Sequence, residues 1–394
     1  MTVSFEEGRR LVLAQAARLA PTPLVERVPI LEASGRVLAA SISADRDYPP
    51  VARSIRDGFA VHSVDLPGRL RVIGEVRAGE TFSGNVARGE AVEIFTGAPV
   101  PAGVDQVVMV EHTSRAGDFV ETARAGVSGE FINPAGAEIR AGAAMLTLGR
   151  RLGFAEIAAL ATVGVTEVPV YRRPRVAILA TGDEVVEIEA TPRDNQVRNS
   201  NSYSIAAQVL RAGGIPEILP VARDTMESTR AAIERGLTAD LLLLSGGVSA
   251  GKYDLVETVL AEMGAESFFD RVLIQPGQPL VFGQVAGKMF FGLPGNPAST
   301  MVTFEIFARA AVELLAGEAA PLLPILEAPL SVPFAHKTGL TRFLPATLDG
   351  GRITPVRWQG SSDVAALARA NCFLVASADR PSWNEGDLIG VLMK

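Results

Sequence analysis

The chain is 394 residues long, more than one ordinary hydrophobic core organises, so about two to four domains are expected. Its residues are 48% apolar and 21% charged, the balance of a folded chain and not of a disordered one. The 37 Lys and Arg against 44 Asp and Glu leave a formal net charge of -7, which argues against nucleic acid as the main partner while leaving room for a local basic pocket.

Ser4-Phe5-Glu6-Glu7 reads as a capping box, with Ser4 as N-cap and Glu7 as its partner. It opens a helix that carries Phe5, Val12, Ala16 and Leu19 near one face and stops before Pro21. Glu6, Glu7, Arg9 and Arg10 in its first turns do not fit an export leader. Residues 33–40 read as a second, short helical segment. From Asp47 the texture changes: Asp47-Tyr48-Pro49-Pro50 is stiff and extended, and the runs 69–73, 91–95 and 106–111 alternate between Gly-containing turns. A small all-β module over about residues 46–140 is expected. Residues 152–163 return to helical period, so this module is inserted into a region built from both flanks.

After Tyr171-Arg172-Arg173-Pro174, three apolar runs, 176–180, 241–244 and 289–292, each stop at a turn of glycine and small polar residues. Strands buried on both faces read as continuous apolar runs, and open α/β sheets gather ligands at the carboxyl ends of such strands. Residues 202–212, 227–236, 255–263 and 301–315 have helical period and alternate with these runs. Residues 321–333 hold four prolines and form a connection, and the runs 343–348 and 352–358 flank Asp349-Gly350-Gly351 as a hairpin. The single cysteine, Cys372, lies in an apolar run, so it is expected in a core and not as a nucleophile. It excludes an intrachain disulfide framework and fits a reducing, cytoplasmic setting. No run approaches the roughly 18 apolar residues that span a bilayer, so no membrane partner is expected.

The three turns carry the chemistry. Thr181-Gly182-Asp183-Glu184, Ser245-Gly246-Gly247-Val248-Ser249 and Leu293-Pro294-Gly295-Asn296-Pro297 supply hydroxyls, backbone amides and acids. Together they point to a site for a phosphorylated ligand with a divalent metal. Asn296 fits an N-cap and Pro297 a first helical residue, a terminus suited to anions. Gly246 to Lys252 spells G-x-x-x-x-G-K, but Tyr253 stands where a P-loop needs Ser or Thr, which demotes a P-loop NTPase reading. Asp254 supplies a carboxylate nearby, or caps the helix that follows. Glu184 has a competing role as cap of a helix-like stretch over 185–188, and Asp224 one as a turn or cap residue. The three histidines, His62, His112 and His336, lack metal-ligand spacing, so zinc is not expected.

Asp47-Tyr48-Pro49-Pro50 with Ser54 and Asp57-Gly58-Phe59-Ala60 resembles the signature of the molybdopterin molybdenumtransferases, the MoeA-type proteins related to the gephyrin E domain. Phe95-Thr96-Gly97-Ala98-Pro99, the three turns, Asp254 and Pro276-Gly277 with Pro279 follow in the family's order. The resemblance implies a multidomain α/β plus β protein with a three-layer α/β molybdopterin-binding domain at 173–318. It also implies a linker domain at 1–45 and 141–172, an inserted β domain at 46–140 and a C-terminal β domain at 319–394. It implies a homodimer with composite active sites. The implied reaction is magnesium-dependent insertion of molybdate into adenylylated molybdopterin, with release of AMP.

Carried over by position, Asp57, Thr96, Glu184, Asp224 and Asp254 are the expected catalytic residues, and Glu184, Asp224 and Asp254 the magnesium ligands. Thr181, Gly182, Asp183, Ser245, Gly246, Gly247, Ser249, Lys252, Pro294, Gly295, Asn296 and Pro297 are the expected pterin and nucleotide contacts. Molybdate falls to Gln275, Gln278, Arg342, Ser361 and Ser362. Relatives commonly carry lysine in the loop that here reads Gln275-Pro276-Gly277-Gln278-Pro279, and neutral amides add hydrogen bonds to an oxyanion but no charge. That departure leaves open a diverged pterin-binding or scaffold paralogue. A molybdopterin adenylyltransferase and acceptor molybdoenzymes are the implied protein partners.

Overall fold

A computed structural model of the chain describes residues 1–246 and 255–394. The chain forms two compact units, the first of residues 1–39, 149–153 and 167–394, the second of residues 40–148 and 154–166.

The first unit is built on a six-stranded sheet. Strands Ile215–Ile218, Arg175–Ala180, Leu241–Ser245 and Lys288–Leu293 run parallel in that order, and Val281–Val285 and Glu266–Phe269 continue it antiparallel. The apolar runs of the sequence are the central strands, and their residues alternate between two cores. Val176, Ile178, Leu241, Leu243, Met289 and Phe291 face a core closed by the helices Phe5–Leu19, Ser200–Arg211 and Pro297–Thr303 with the helical turns that follow it. Ala177, Leu179, Leu242, Leu244 and Phe290 face a second core closed by Met226–Gly236 and Leu255–Glu262. Fully burying each large side chain contributes roughly 1.5–3 kcal/mol, so both faces of the sheet are fixed by the sequence pattern.

Ser4 caps the first helix as expected, its hydroxyl accepting from the Glu7 N–H at 3.1 Å. The helical reading of residues 33–40 is corrected. A 3-10 turn, Ile30–Ala33, gives way at Ser34-Gly35, and Val37 and Leu38 pair as single bridges with Arg151 and Val170. Burying Val37 and Leu38 in those pairings outweighs the local helix preference of Leu38 and its neighbouring alanines. The helical stretch expected at 301–315 runs Pro297–Thr303, then a π-turn Phe304–Ala308, then Arg309–Leu315.

A second sheet in this unit orders Ile274–Gln275, Thr341–Asp349, Cys372–Ala376, Leu388–Met393 and Ile325–Pro329, with Arg352–Pro355 closing the expected hairpin. Cys372 is buried and burial pushes its thiol up to about 11, so it is packed and not reactive.

The second unit holds a six-stranded sheet in the order Gln106–Met109, Gly58–Val61, Glu90–Ile94, Gly68–Val76, Phe119–Thr122 and Ser114–Ala116. Its faces also bury two cores, one with Ala60, Val92, Ile94 and Val107, the other with Phe59, Val61, Ala91 and Val108. Among the described residues no helix is long and apolar enough to cross a membrane.

Candidate functional site

Ala180, Ser245 and Leu293 stand in register across three adjacent parallel strands. The three polar turns therefore leave the sheet at one level, at its carboxyl edge. The Thr181 N–H donates to the Ser245 carbonyl at 3.3 Å, and the Gly246 N–H to the Leu293 carbonyl at 3.3 Å. A cavity of about 1170 Å³ opens there, a little above the roughly 300–1,000 Å³ of ordinary ligand pockets. From the first two turns, Thr181, Glu184, Ser245 and Gly246 line it. Pro294, Gly295, Asn296 and Pro297 line it from the third.

Two further segments complete the wall. Gln275 ends the short strand Ile274–Gln275 and Gln278 lies just after it, and Ser361 and Ser362 come from the C-terminal region. Strand Ile274–Gln275 pairs in parallel with Thr341–Asp349, which sets Gln275 opposite Arg342. The Asp363 carboxylate accepts from the Gln359 N–H at 3.0 Å and the Ala366 N–H at 2.9 Å, so it ties the 359–363 turn to the helix Val364–Arg369. The Ala366 N–H, then that of Gln359, holds this carboxyl below the usual range. The Ser361 carbonyl also accepts from the Ala298 N–H at 2.9 Å. Asn296 occupies the N-cap position with Pro297 first in the helix, but its side chain makes no capping bond. The turn is held instead by the Thr300 hydroxyl, which donates to the Pro294 carbonyl and lies 3.1 Å from the Asn296 carbonyl.

Other expected residues are placed differently. Val185–Val186 is a short strand paired with Val197–Arg198, so Glu184 caps no helix there. Asp183 and Asp224 hold each other: the Asp183 N–H donates to Asp224 Oδ2 at 3.2 Å, and the Asp224 N–H to Asp183 Oδ1 at 3.3 Å. Thr225, not Asp224, caps the helix Met226–Gly236, its hydroxyl accepting from the Ser228 N–H at 3.2 Å. Gly182, Asp183, Asp224 and Arg342 are not among the residues lining the cavity. Gly247, Ser249, Lys252 and Asp254 lie outside the described residues. Among the described residues no group of three or more His, Cys, Asp or Glu side chains is gathered to hold a metal ion.

Sequence reasoning missed the wall formed by residues 197–201. Asn201 Nδ2 donates to the Ser245 hydroxyl at 2.9 Å and to the Gly295 carbonyl at 2.7 Å, and so clamps two of the turns together. Asn199 caps the helix Ser200–Arg211. The signal was the polar run Asn199-Ser200-Asn201 at a helix start, which reads as capping alone.

In the second unit, Asp57 and Thr96 are brought together. Asp57 Oδ1 accepts from the Thr96 N–H at 2.6 Å and from its hydroxyl at 2.7 Å. The Thr96 N–H first, then its hydroxyl, holds the Asp57 carboxyl below the usual range. Gly58 is required beside it, because an added Cβ would sit 1.9 Å from the Val108 carbonyl oxygen. Thr96 also lines a cavity of about 520 Å³ in this unit, with Arg46, Tyr48, Arg53 and Ser54.

Comparison with known proteins places this architecture. Residues 3–164 match the family model "MoeA N-terminal region (domain I and II)", residues 177–314 "Probable molybdopterin binding domain" and residues 327–393 "MoeA C-terminal region (domain IV)". The chain is 32% identical over 384 residues to the molybdopterin molybdenumtransferase of Bacillus subtilis (strain 168), covering 93% of this chain and 89% of that protein. It is 36% identical over 311 residues to the molybdopterin molybdenumtransferase of a Nostoc species, covering 76% of this chain and 71% of that protein. Among solved structures, the molybdopterin biosynthesis moeA protein from Pyrococcus horikoshii OT3 superposes with a TM-score of 0.83 at 26% identity, with 100% of both chains covered. The chain belongs to the MoeA-type family of molybdopterin molybdenumtransferases.

Proposed function

We propose that this protein inserts molybdenum into molybdopterin in the last stage of cofactor assembly, taking adenylylated molybdopterin and molybdate and releasing AMP. The observation that carries the reading is the cavity at the carboxyl edge of the parallel strands. It combines the Glu184 carboxylate, the Thr181 and Ser245 hydroxyls and the Gln275 and Gln278 amides on one wall system, in a chain of this family. Hydroxyls, amides and glycine-rich turns suit phosphate and oxyanion groups, because each offers a donor without filling the space that the ligand needs.

Glu184 would hold a magnesium ion, whereas Asp224, tied to Asp183, does not line the cavity. The donor set fits one: Mg2+ uses one or two carboxylates and takes its remaining oxygens from phosphates and water, so the single cavity-lining acid among the described residues suffices on the protein side. When bound, the ion neutralises charge on the phosphate oxygens of the anhydride. The chain's own part is positioning. Thr181 and Ser245 donate to phosphate oxygens, Gln275 and Gln278 orient the incoming oxyanion, and Ser361 and Ser362 close that side, with Arg342 the strand partner of Gln275. Asp57 and Thr96 belong to the catalytic set, and the protein acts as a cytoplasmic homodimer, which sedimentation tests.

The deciding assay supplies adenylylated molybdopterin, magnesium and molybdate to the purified protein and follows AMP release together with cofactor formation. Pterin binding without AMP release would instead support a diverged binding or scaffold protein, the reading that the two glutamines in the cavity wall favour.

A further inference from the structure

The main cavity takes an oxyanion under the functional reading above, yet its wall is poor in positive charge. Gln275 and Gln278 are neutral, and Arg342 is not among the lining residues. Among the described residues that do line it, one side chain is cationic, Arg198. We propose that Arg198 anchors a tetrahedral oxyanion in this cavity and supplies the charge that Gln275 and Gln278 lack. This inference rests on the functional reading.

Three observations carry it. First, the backbone pins Arg198 beside the acid of the site. Arg198 stands opposite Val186 in the short parallel pairing, the Val197 N–H donates to the Glu184 carbonyl at 2.9 Å, and the Asn199 N–H donates to the Val186 carbonyl at 2.8 Å. Second, the guanidinium is held but not used up. Its Nε donates to the Ala190 carbonyl at 3.0 Å, and the two terminal nitrogens have no partner among the described residues, in an exposed side chain. A planar fork fixed at one nitrogen and free at two matches the paired oxygens of phosphate or molybdate. Third, the next residue carries an unmet donor. Asn199 lines the cavity, its Oδ1 accepts from the Ser202 N–H at 3.2 Å, and its Nδ2 is buried with no partner. Such a group costs about 1–3 kcal/mol when left alone, and an oxyanion held by Arg198 would offer it an acceptor in the cavity that both residues line.

The oxyanion has two possible sources, molybdate itself or the phosphate of the nucleotide. Calorimetric titration of the full chain with sodium molybdate and, separately, with AMP distinguishes them. In Arg198→Gln, affinity for one or both anions should fall by about tenfold or more, with the thermal unfolding curve unchanged because the position is exposed. Arg198→Lys should keep part of that affinity, as a point charge without the fork. Loss confined to molybdate identifies that anion, and Arg198→Gln combined with Gln278→Lys should then restore it. Loss confined to AMP identifies the phosphate. Affinities in Arg198→Gln equal to those of the wild type for both anions would overturn the role of Arg198 and leave the functional reading standing. A wild-type chain that binds neither anion would overturn both.

Discussion

Asp57 holds Thr96 twice through one oxygen, Oδ1, which accepts from the backbone N–H at 2.6 Å and from the hydroxyl at 2.7 Å. Both bonds favour the charged carboxylate and hold its pKa below the ordinary 3.8. A depressed carboxyl contributes stability at pH above its unfolded value and loses it as pH falls through the folded value. Thr96→Val removes the hydroxyl and keeps the N–H, so the Asp57 pKa should rise part of the way back, read from the carboxyl carbon in an NMR titration. Asp57→Asn keeps an oxygen that can accept both bonds but removes the charge. If the charge serves catalysis, AMP release should fall by about 10²-fold with the fold intact. Near-normal release would leave Asp57 as a tie between two turns.

Glu184 is the acid that lines the main cavity among the described residues. Glu184→Gln preserves its size and its acceptor oxygen while removing the charge. Under the proposed reaction, in which the carboxylate would act on charge developing during anhydride cleavage, turnover should drop by about 10²–10³ at saturating magnesium, whereas pterin affinity changes little. A variant with unchanged kcat and weakened pterin binding would make Glu184 a ground-state contact.

Gln278→Lys places a cation where the wall now offers an amide. A charge-assisted contact in a partly wet site adds about 1 kcal/mol over a neutral one, so half-saturating molybdate should fall by about fivefold. If it stays where it is, the Gln278 side chain does not meet the oxyanion.

The sequence exposes the α/β sheet because its central strands are buried on both faces. Val176 to Ala180 and Leu241 to Leu244 have no polar face to interrupt the apolar run, and the turns that end them lie in register. The third turn, after Leu293, was legible for the same reason. Residues 33–40 misled because local propensity takes no account of Val37 and Leu38 pairing with partners far along the chain. The 185–188 stretch misled similarly, since two-residue pairing with Val197–Arg198 leaves no period to read. Arg198 was invisible as a wall residue because that pairing, and not any motif, carries it to the cavity. Arg342 shows the opposite case: its register with Gln275 brings it near the loop without making it a lining residue.

Gly277 separates the two glutamines with a φ of 101°, and an added Cβ would sit 2.5 Å from Thr303 Cγ2. Gly277→Ala therefore meets both a left-handed backbone and a clash inside a packed helix face. Destabilisation of about 1–3 kcal/mol is expected in denaturant titration. Combining it with Thr303→Ser, which removes the clashing methyl, should recover the steric part and leave the backbone part. Full recovery would show that φ costs nothing here.

Glu313 tests the electrostatics of the buried helix Arg309–Leu315. Burial pushes its carboxyl up from the ordinary 4.5 to about 7, more strongly than Arg309, whose Nε lies 3.8 Å away, draws it down. Glu318 and Glu305 add to the rise and Arg151 opposes it. Glu313 Oε2 is also buried without a partner, which favours the neutral acid. Between pH 4.5 and about 7 the folded chain keeps a proton that the unfolded chain has released, so stability is greatest at the acid end and falls as pH rises through 7. Glu313→Gln substitutes a neutral group of the same shape and removes this slope. At about pH 8 the variant should be more stable than the wild type, on the order of 1–3 kcal/mol, and at about pH 5 nearly equal to it. Unfolding curves for both proteins across that range decide the matter. Parallel profiles would mean that Arg309 keeps Glu313 charged in the folded chain, and that the helix carries a buried ion pair instead of a buried acid.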